Sequence, residues 1–375
     1  MKNSRRSDWP EYFGNIPQIN KTQNASSLHS TTNDNIFELF KDHDAFYAQR
    51  KFSWNQYFLA ETIDFEKTND GTALFDTSSS SNYYIHHCLF ENCKENGAIY
   101  IQRNDHICTL IEECVFYNCS STLDGGSVYY VCQGDGQFVQ QRTCYYKSKA
   151  TNSYIAFWQI VSDYFSHLNQ AIDVSIYNCG ENETKGAYTF SVACGSIIIS
   201  RINSTYNKCS QYSSIESDFN QNECACEYSI FRENNQTESN SLRFICSDES
   251  INQRVHCCNV IGNKCGTDND QVLFYCCFAV NVDHCIFRNN IAKYMFKQEY
   301  EGYPLTISDS YVDNNSTAGS GNVIFINETR NYDFNNFSYF NMKFCSNAPK
   351  GMSIKLSYLS KFAKTASASL FSSKK

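Results

Sequence analysis

Apolar residues recur along this chain in short alternating runs, and the runs themselves recur. SIIISRINSTY (196–206), CFAVNVDHCIF (277–287) and YPLTISDSY (303–311) place apolar side chains at every second position, the period of a strand with one buried face. Each run ends on an apolar anchor. A polar link, often carrying Gly, then leads to a second apolar run: GAIYI (97–101), GGSVYYV (125–131), KGAYTFSV (185–192), SLRFIC (241–246), QVLFYC (271–276), NVIFIN (322–327) and MSIKLS (352–357). The anchors are Phe90, Phe116, Tyr146, Ile176, Tyr206, Phe231, Val260, Phe287, Tyr311 and Phe344, with a weaker copy at Phe65. Successive anchors lie 24 to 33 residues apart, a period that predicts a solenoid. Two or three short strands per period, without helix signals between them, describe one coil of a β-helix. A single coil cannot bury its own apolar face until a neighbour stacks on it.

The position three residues after the anchor carries the sharpest pattern. It reads Cys93, Cys119, Lys149, Cys179 and Cys209, then Asn234, Asn263, Asn290, Asn314 and Asn347. A column of Asn predicts a ladder in which each side-chain amide bonds the next coil at the sheet spacing of about 4.8 Å. Asn also tolerates the left-handed backbone of a tight corner, and Cys is small and stable when buried. The anchors are expected to stack inward, each contributing roughly 1.5–3 kcal/mol on burial. The fold expected is all-β: a right-handed parallel β-helix of about ten coils, its hand taken from the strong preference of parallel crossovers.

FREN (231–234), FRNN (287–290), NGAIYI (96–101) and GGSVYYV (125–131) resemble the repeats of bacterial polymorphic outer-membrane proteins. They are also similar to the repeat-bearing surface proteins of parasitic protists such as trichomonads. The resemblance covers roughly residues 56–350 and implies the right-handed parallel β-helix, or pectin-lyase-like, superfold. It implies an adhesin-like role, and it carries over no functional residue, because the repeat motif is structural.

Outside the repeats, residues 1–35 are polar and Asn/Ser/Thr-rich. Residues 36–60 mix apolar and charged residues at helical spacing and are expected to cap the solenoid's open end as a helix or an irregular first coil. The solenoid itself is expected over 61–357, with a looped-out segment within 120–175, where Lys149 interrupts the corner column. Residues 358–375 are expected to form a tail or a short capping helix. No apolar h-region follows the basic start, so no signal peptide is expected. No run of eighteen apolar residues suggests a membrane helix. The chain's net charge of −8 argues against binding nucleic acid or an anionic membrane.

Candidate chemistry is sparse. The twenty cysteines lack paired C-x-x-C knuckles, so their spacing gives no zinc site. Bridges between adjacent coils are geometrically possible, Cys93–Cys119 and Cys179–Cys209 first among them; the other reading is a stack of reduced core residues. His87 and His284 share one repeat position, on the outer face and many coils apart, with Cys257 filling it in another copy. His86, Asp105 and His106 are close enough in sequence to share a groove. The carboxylates Glu112, Glu113, Asp173, Glu227, Asp283 and Asp309 are scattered, without the gathered pair that glycoside hydrolysis needs. Ten Asn-x-Ser/Thr sequons, including one at Asn314, mark possible glycan sites. Outward aromatics such as Tyr83, Tyr117, Tyr129 and Tyr177 can stack on sugar rings or anchor a protein, or simply pack across strands. These features predict a non-enzymatic binding or structural solenoid that contacts protein or glycan through a flat face, with no cofactor or metal assigned. The alternative is a polysaccharide lyase or hydrolase of the pectin-lyase superfold.

Overall fold

The computed structural model describes residues 53–330 except 163–165, 220–223, 247–248, 252, 269–270 and 320. The described residues form parallel sheets of eighteen, ten and two strands. They wind as a β-solenoid of the right-handed type. The eighteen-stranded sheet contains two runs, joined where the long strands Asp135–Tyr146 and Leu168–Tyr177 pass through both. The ten-stranded sheet takes one short strand per coil, from Leu74–Asp76 to Thr317–Ala318. Between the sheets lies one continuous apolar core.

Register defines the inward anchor column: Phe90, Phe116, Tyr145, Ile176, Ser204, Phe231, Val260, Phe287 and Val312. Three expected anchors are therefore corrected. Tyr146 pairs with Tyr117 and Tyr177 on the outer side, while its neighbour Tyr145 is buried. Tyr206 is 42% exposed at a corner, and the inward residue is Ser204. Tyr311 pairs with Ile286, leaving Val312 opposite Phe287. Alternation decides between the adjacent pairs Tyr145/Tyr146 and Tyr311/Val312, while Tyr206 lies past the end of its strand Asn203–Thr205, in the left-handed turn. With the register corrected, coils are 25 to 31 residues long. Phe90, Phe116 and Tyr145 stack at centroid distances of 5.1 and 4.7 Å with nearly parallel planes, each pair adding about 0.5–1.5 kcal/mol beyond area burial.

The corner column shifts accordingly. Ser148 holds the position expected for Lys149, which is exposed beside it. Asn207 holds the position expected for Cys209, which is buried two residues further on. Asn314 is exposed and accepts the Ser316 N–H instead of joining a ladder. Phe344 and Asn347 lie outside the described residues. From Asn207 to Asn290 each amide makes the same two bonds. Its oxygen accepts the backbone N–H of the corner residue one coil earlier: Cys179 to Asn207 at 2.9 Å, Asn207 to Asn234 at 2.9 Å, Asn234 to Asn263 at 3.0 Å and Asn263 to Asn290 at 2.9 Å. Its NH2 donates to the anchor carbonyl of that coil: Ile176, Ser204, Phe231 and Val260. Cys119 and Cys179 donate their thiols to the equivalent carbonyls of Phe90 and Tyr145, at 3.5 and 3.6 Å. Cys and Asn thus share a column because both are small donors aimed at one acceptor, the thiol being the weaker.

The left-handed backbone sits one residue before the corner. Asn92, Asn118, Lys147, Asn178, Tyr206, Glu233 and Asn289 all have φ between 51° and 57°. A second left-handed column, between the two runs of the eighteen-stranded sheet, contains His87, Glu113, Arg142, Asp173, Arg201, Tyr228, Cys257, His284 and Asp309. Following it inward is another donor column, which includes Cys88, Cys114, Ser229, Cys258, Cys285 and Ser310. Cys114 donates to the Ile85 carbonyl and Cys285 to that of Val255. At the link, Gly180 takes φ +83°, and a Cβ there would lie 1.7 Å from the Lys208 carbonyl oxygen, so only glycine fits.

Two other expectations differ from what is seen. The segment 120–175 contains a full second strand, Phe157–Val161, in register with Val128–Cys132. The run 322–327 forms Val323–Ile326, which pairs with Leu305–Ser308 as a first strand of its coil. Residues 53–57 are helical. Trp54 and Phe58 bury against Tyr84, Cys108, Leu110 and Val139, so this segment covers the side of the first coils. Residues 36–52 and 331–375 lie outside the described part. Among the described residues, no helix is long and apolar enough to cross a membrane.

Candidate functional site

The outer side of the ten-stranded sheet carries the most continuous chemistry. Strand alternation sends one central residue outward from every coil, and the register lines these up: Phe75, Tyr100, Tyr129, Trp158, Ser191, Glu216, Arg243, Tyr275 and Lys297. Phe75 stacks on Tyr100 at 4.9 Å and Tyr100 on Tyr129 at 4.4 Å. Trp158 meets Tyr129 edge-on at 5.1 Å and stacks on Tyr154 at 4.6 Å. The row then moves one column over, through Tyr188 and Tyr212, at 4.7 and 4.6 Å. Ring faces inside this row are covered by one another, so solvent meets their edges and hydroxyls. Burial pushes the Tyr188 phenol up to about 12 and raises Tyr129 and Tyr154 as well. These hydroxyls therefore remain protonated donors at neutral pH.

The aromatic row ends in an open groove of about 470 Å³. Tyr212, Arg243, Tyr275, Tyr294, Lys297 and Glu299 line it. The Arg243 guanidinium lies 5.2 Å over the Tyr212 ring, and Lys297 Nζ lies 5.5 Å over Tyr275. Each cation is also matched by a carboxylate: Arg243 to Glu216 at 2.8 Å and Lys297 to Glu299 at 2.8 Å. The groove therefore offers aromatic surface, hydrogen-bond donors and acceptors, and balanced charge.

Of the four aromatics expected to face outward, Tyr129 alone belongs to this row. Tyr83 is buried, its hydroxyl donating to Asp76. Tyr117 and Tyr177 flank Tyr146 on the other sheet, at 5.5 Å each. Tyr100, Trp158, Arg243, Tyr275 and Lys297 were not singled out, although Tyr100, Arg243 and Tyr275 stand within second apolar runs, at positions that alternation points outward.

The expected ionisable residues are dispersed and mostly matched. Glu112 is buried and accepts from Tyr84, Gln141 and Arg142. The His87 hydrogen bond at 2.7 Å and the nearby Arg142 guanidinium hold the Glu113 carboxyl down at about 2. Asp173 takes both its oxygens to Arg201, at 2.6 and 2.8 Å. His86 is buried against Glu66 at 2.7 Å. His106 lies between Glu61 and Asp135 at 3.1 and 3.0 Å, and Asp105 pairs with Arg103. His86, Asp105 and His106 thus share no groove. Asp283, by contrast, meets His284 and also His256, a residue the sequence reading passed over. Glu227 pairs in register with His256, and Asp309 is exposed. Cys93, Cys119, Cys179 and Cys209 stand as thiols. Cys93 and Cys119 are neighbours, and the adjacent Cys119 side chain lowers the Cys93 thiol from its ordinary value. Cys179 lies opposite Asn207 rather than Cys209.

Compared with protein-family models, with curated proteins and with solved structures, the chain finds no match in any of the three.

Proposed function

We propose that this protein is a non-enzymatic, adhesin-like binding solenoid that holds a neutral glycan along the outer side of its ten-stranded sheet. The observation that carries this reading is the groove at the end of the aromatic row, where Tyr275 and Tyr294 stand beside the paired ions Arg243–Glu216 and Lys297–Glu299. Sugar rings present apolar C–H faces and many hydroxyls. Aromatic surface suits the former. Matched donors and acceptors suit the latter, and balanced charge gives an anionic polymer no special advantage. A volume of about 470 Å³ is within the usual range for small ligands.

The test is affinity electrophoresis of the full chain through gels containing β-glucan, xylan, mannan or galactan. One or more of these is expected to retard the protein, and Tyr275→Ala with Lys297→Ala is expected to abolish the retardation while leaving the circular-dichroism spectrum unchanged. No retardation by any polymer, or equal retardation of the variant, defeats the proposal. Release of reducing ends or unsaturated products from the same panel would favour a lyase or hydrolase instead.

A further inference from the structure

A second cluster lies on the eighteen-stranded sheet, whereas the groove is built on the ten-stranded sheet of the same coils. His256 ends the strand Gln253–His256, and Asp283 ends the strand Val280–Asp283 one coil later. The two residues are direct register partners. His284 follows at a left-handed position, φ 54°, which turns its side chain back beside Asp283. Both imidazoles then aim the same atom at the same place: His256 Nδ1 lies 2.6 Å from Asp283 Oδ2, and His284 Nδ1 lies 3.1 Å from it.

We infer that His256, Asp283 and His284 form a binding site for a divalent transition-metal ion of the nickel, copper or zinc type. One ligand atom from each residue falls within a 4.8 Å sphere of mutual distances, the compactness that a shared ion requires. Two imidazoles and one carboxylate select imidazole-seeking metals over magnesium or calcium, which prefer all-oxygen shells. The outer shell is also in place. His256 Nε2 lies 3.1 Å from Cys257 Sγ, which can fix the ring's orientation. The Arg254 Nε lies 3.6 Å from the other Asp283 oxygen, Oδ1, leaving Oδ2 toward the imidazoles. His284 is half exposed, so positions on the ion face solvent and remain open to water or a ligand. The cluster Glu61, His106 and Cys108 fits a metal less well. There the two ring nitrogens of His106 are engaged by different carboxylates, and Cys108 is buried with its thiol pushed up to about 12 by burial, away from the thiolate a metal needs.

The chemistry carried by the solenoid geometry is simple. Stacking places residue 256 and residue 283 side by side at one sheet spacing, and the left-handed turn brings in residue 284. No loop rearrangement is needed, so binding should be accompanied by little change in secondary structure.

The experiment is calorimetric titration of chelator-treated, full-length protein with Ni²⁺. One equivalent is expected to bind at this site. His256→Ala with His284→Ala is expected to weaken that step by about 100-fold or more, Asp283→Asn to weaken it less, and His106→Ala to leave it unchanged. Electron paramagnetic resonance of the wild-type protein with one equivalent of Cu²⁺ gives a readout that needs no variant, and coordinated nitrogen from two imidazoles is expected in the spectrum. Absence of binding, identical titrations for wild type and the double variant, loss of the step in His106→Ala alone, or a copper spectrum without nitrogen coordination would each overturn the site. Because glycan retardation is read separately, this result and that of the binding groove can fail independently.

Discussion

A single side chain in the corner ladder supports two coils at once. Asn234 accepts the Asn207 N–H and donates to the Ser204 carbonyl, and it is fully buried. Replacing it with Ala strands both partners away from water. Asn234→Ala is therefore expected to cost about 2–4 kcal/mol, measured by urea unfolding, with Asn263→Ala giving a similar loss. At the outer corner, Glu113 illustrates a pH effect of definite sign. Its carboxyl is held at about 2 by the His87 hydrogen bond and Arg142, against an ordinary value of 4.5. A depressed acid stabilises the fold above its ordinary value and loses that contribution as pH falls toward the folded value. The thermal unfolding temperature is expected to fall as pH drops from 4.5 to 2, and Glu113→Gln is expected to flatten that limb. Because Glu113 is 41% exposed, solvent screening keeps the effect small. An acid limb as steep in Glu113→Gln as in the wild type would assign it to other carboxylates.

At the level of strands and coils, the repeat was readable from the sequence but its register was only partly so. Phe90, Phe116, Ile176, Phe231, Val260 and Phe287 fall where alternation alone places them. Tyr145 and Tyr146 are adjacent aromatics, and hydropathy cannot choose between them. Ser204 is invisible to hydropathy, because a hydroxyl fills an inward position and donates to the Ser214 carbonyl. The left-handed residues were assigned one place too late, since Asn fills the turn in some coils (Asn92, Asn118, Asn178) and the ladder in others (Asn207, Asn234, Asn263). The outer aromatic row was legible in principle, one residue per second run, yet it emerges only when ten strands are placed in register. The His256–Asp283–His284 cluster depends on the same alignment, joining residues 27 and 28 apart. The register has a direct test. Tyr145→Ala is expected to lose about 3–5 kcal/mol as a core truncation, while Tyr146→Ala, on the outer row with Tyr117 and Tyr177, is expected to lose about 1 kcal/mol or less. Chemical denaturation of the two variants side by side reverses or upholds the assignment.

For the whole molecule, the net charge of −8 and the matched ions of the groove act together. Glycan retention through Tyr275 and its neighbours is expected to change by no more than about twofold between low and physiological ionic strength, because no long-range attraction is being screened. A steep fall with salt would point to an acidic ligand instead. The stacked architecture also makes stability a property of neighbours, with each coil held chiefly by the one before and the one after. The corner bonds give that dependence a direction. Every Asn of the ladder turns both halves of its amide toward the coil that precedes it, accepting an N–H and donating to a carbonyl that were already in place. During synthesis the amino-terminal coils leave the ribosome first, at about 5–20 residues per second. Each finished turn then offers the next a prepared docking edge, so the molecule can assemble in the order in which it is translated, without waiting for its carboxyl-terminal half.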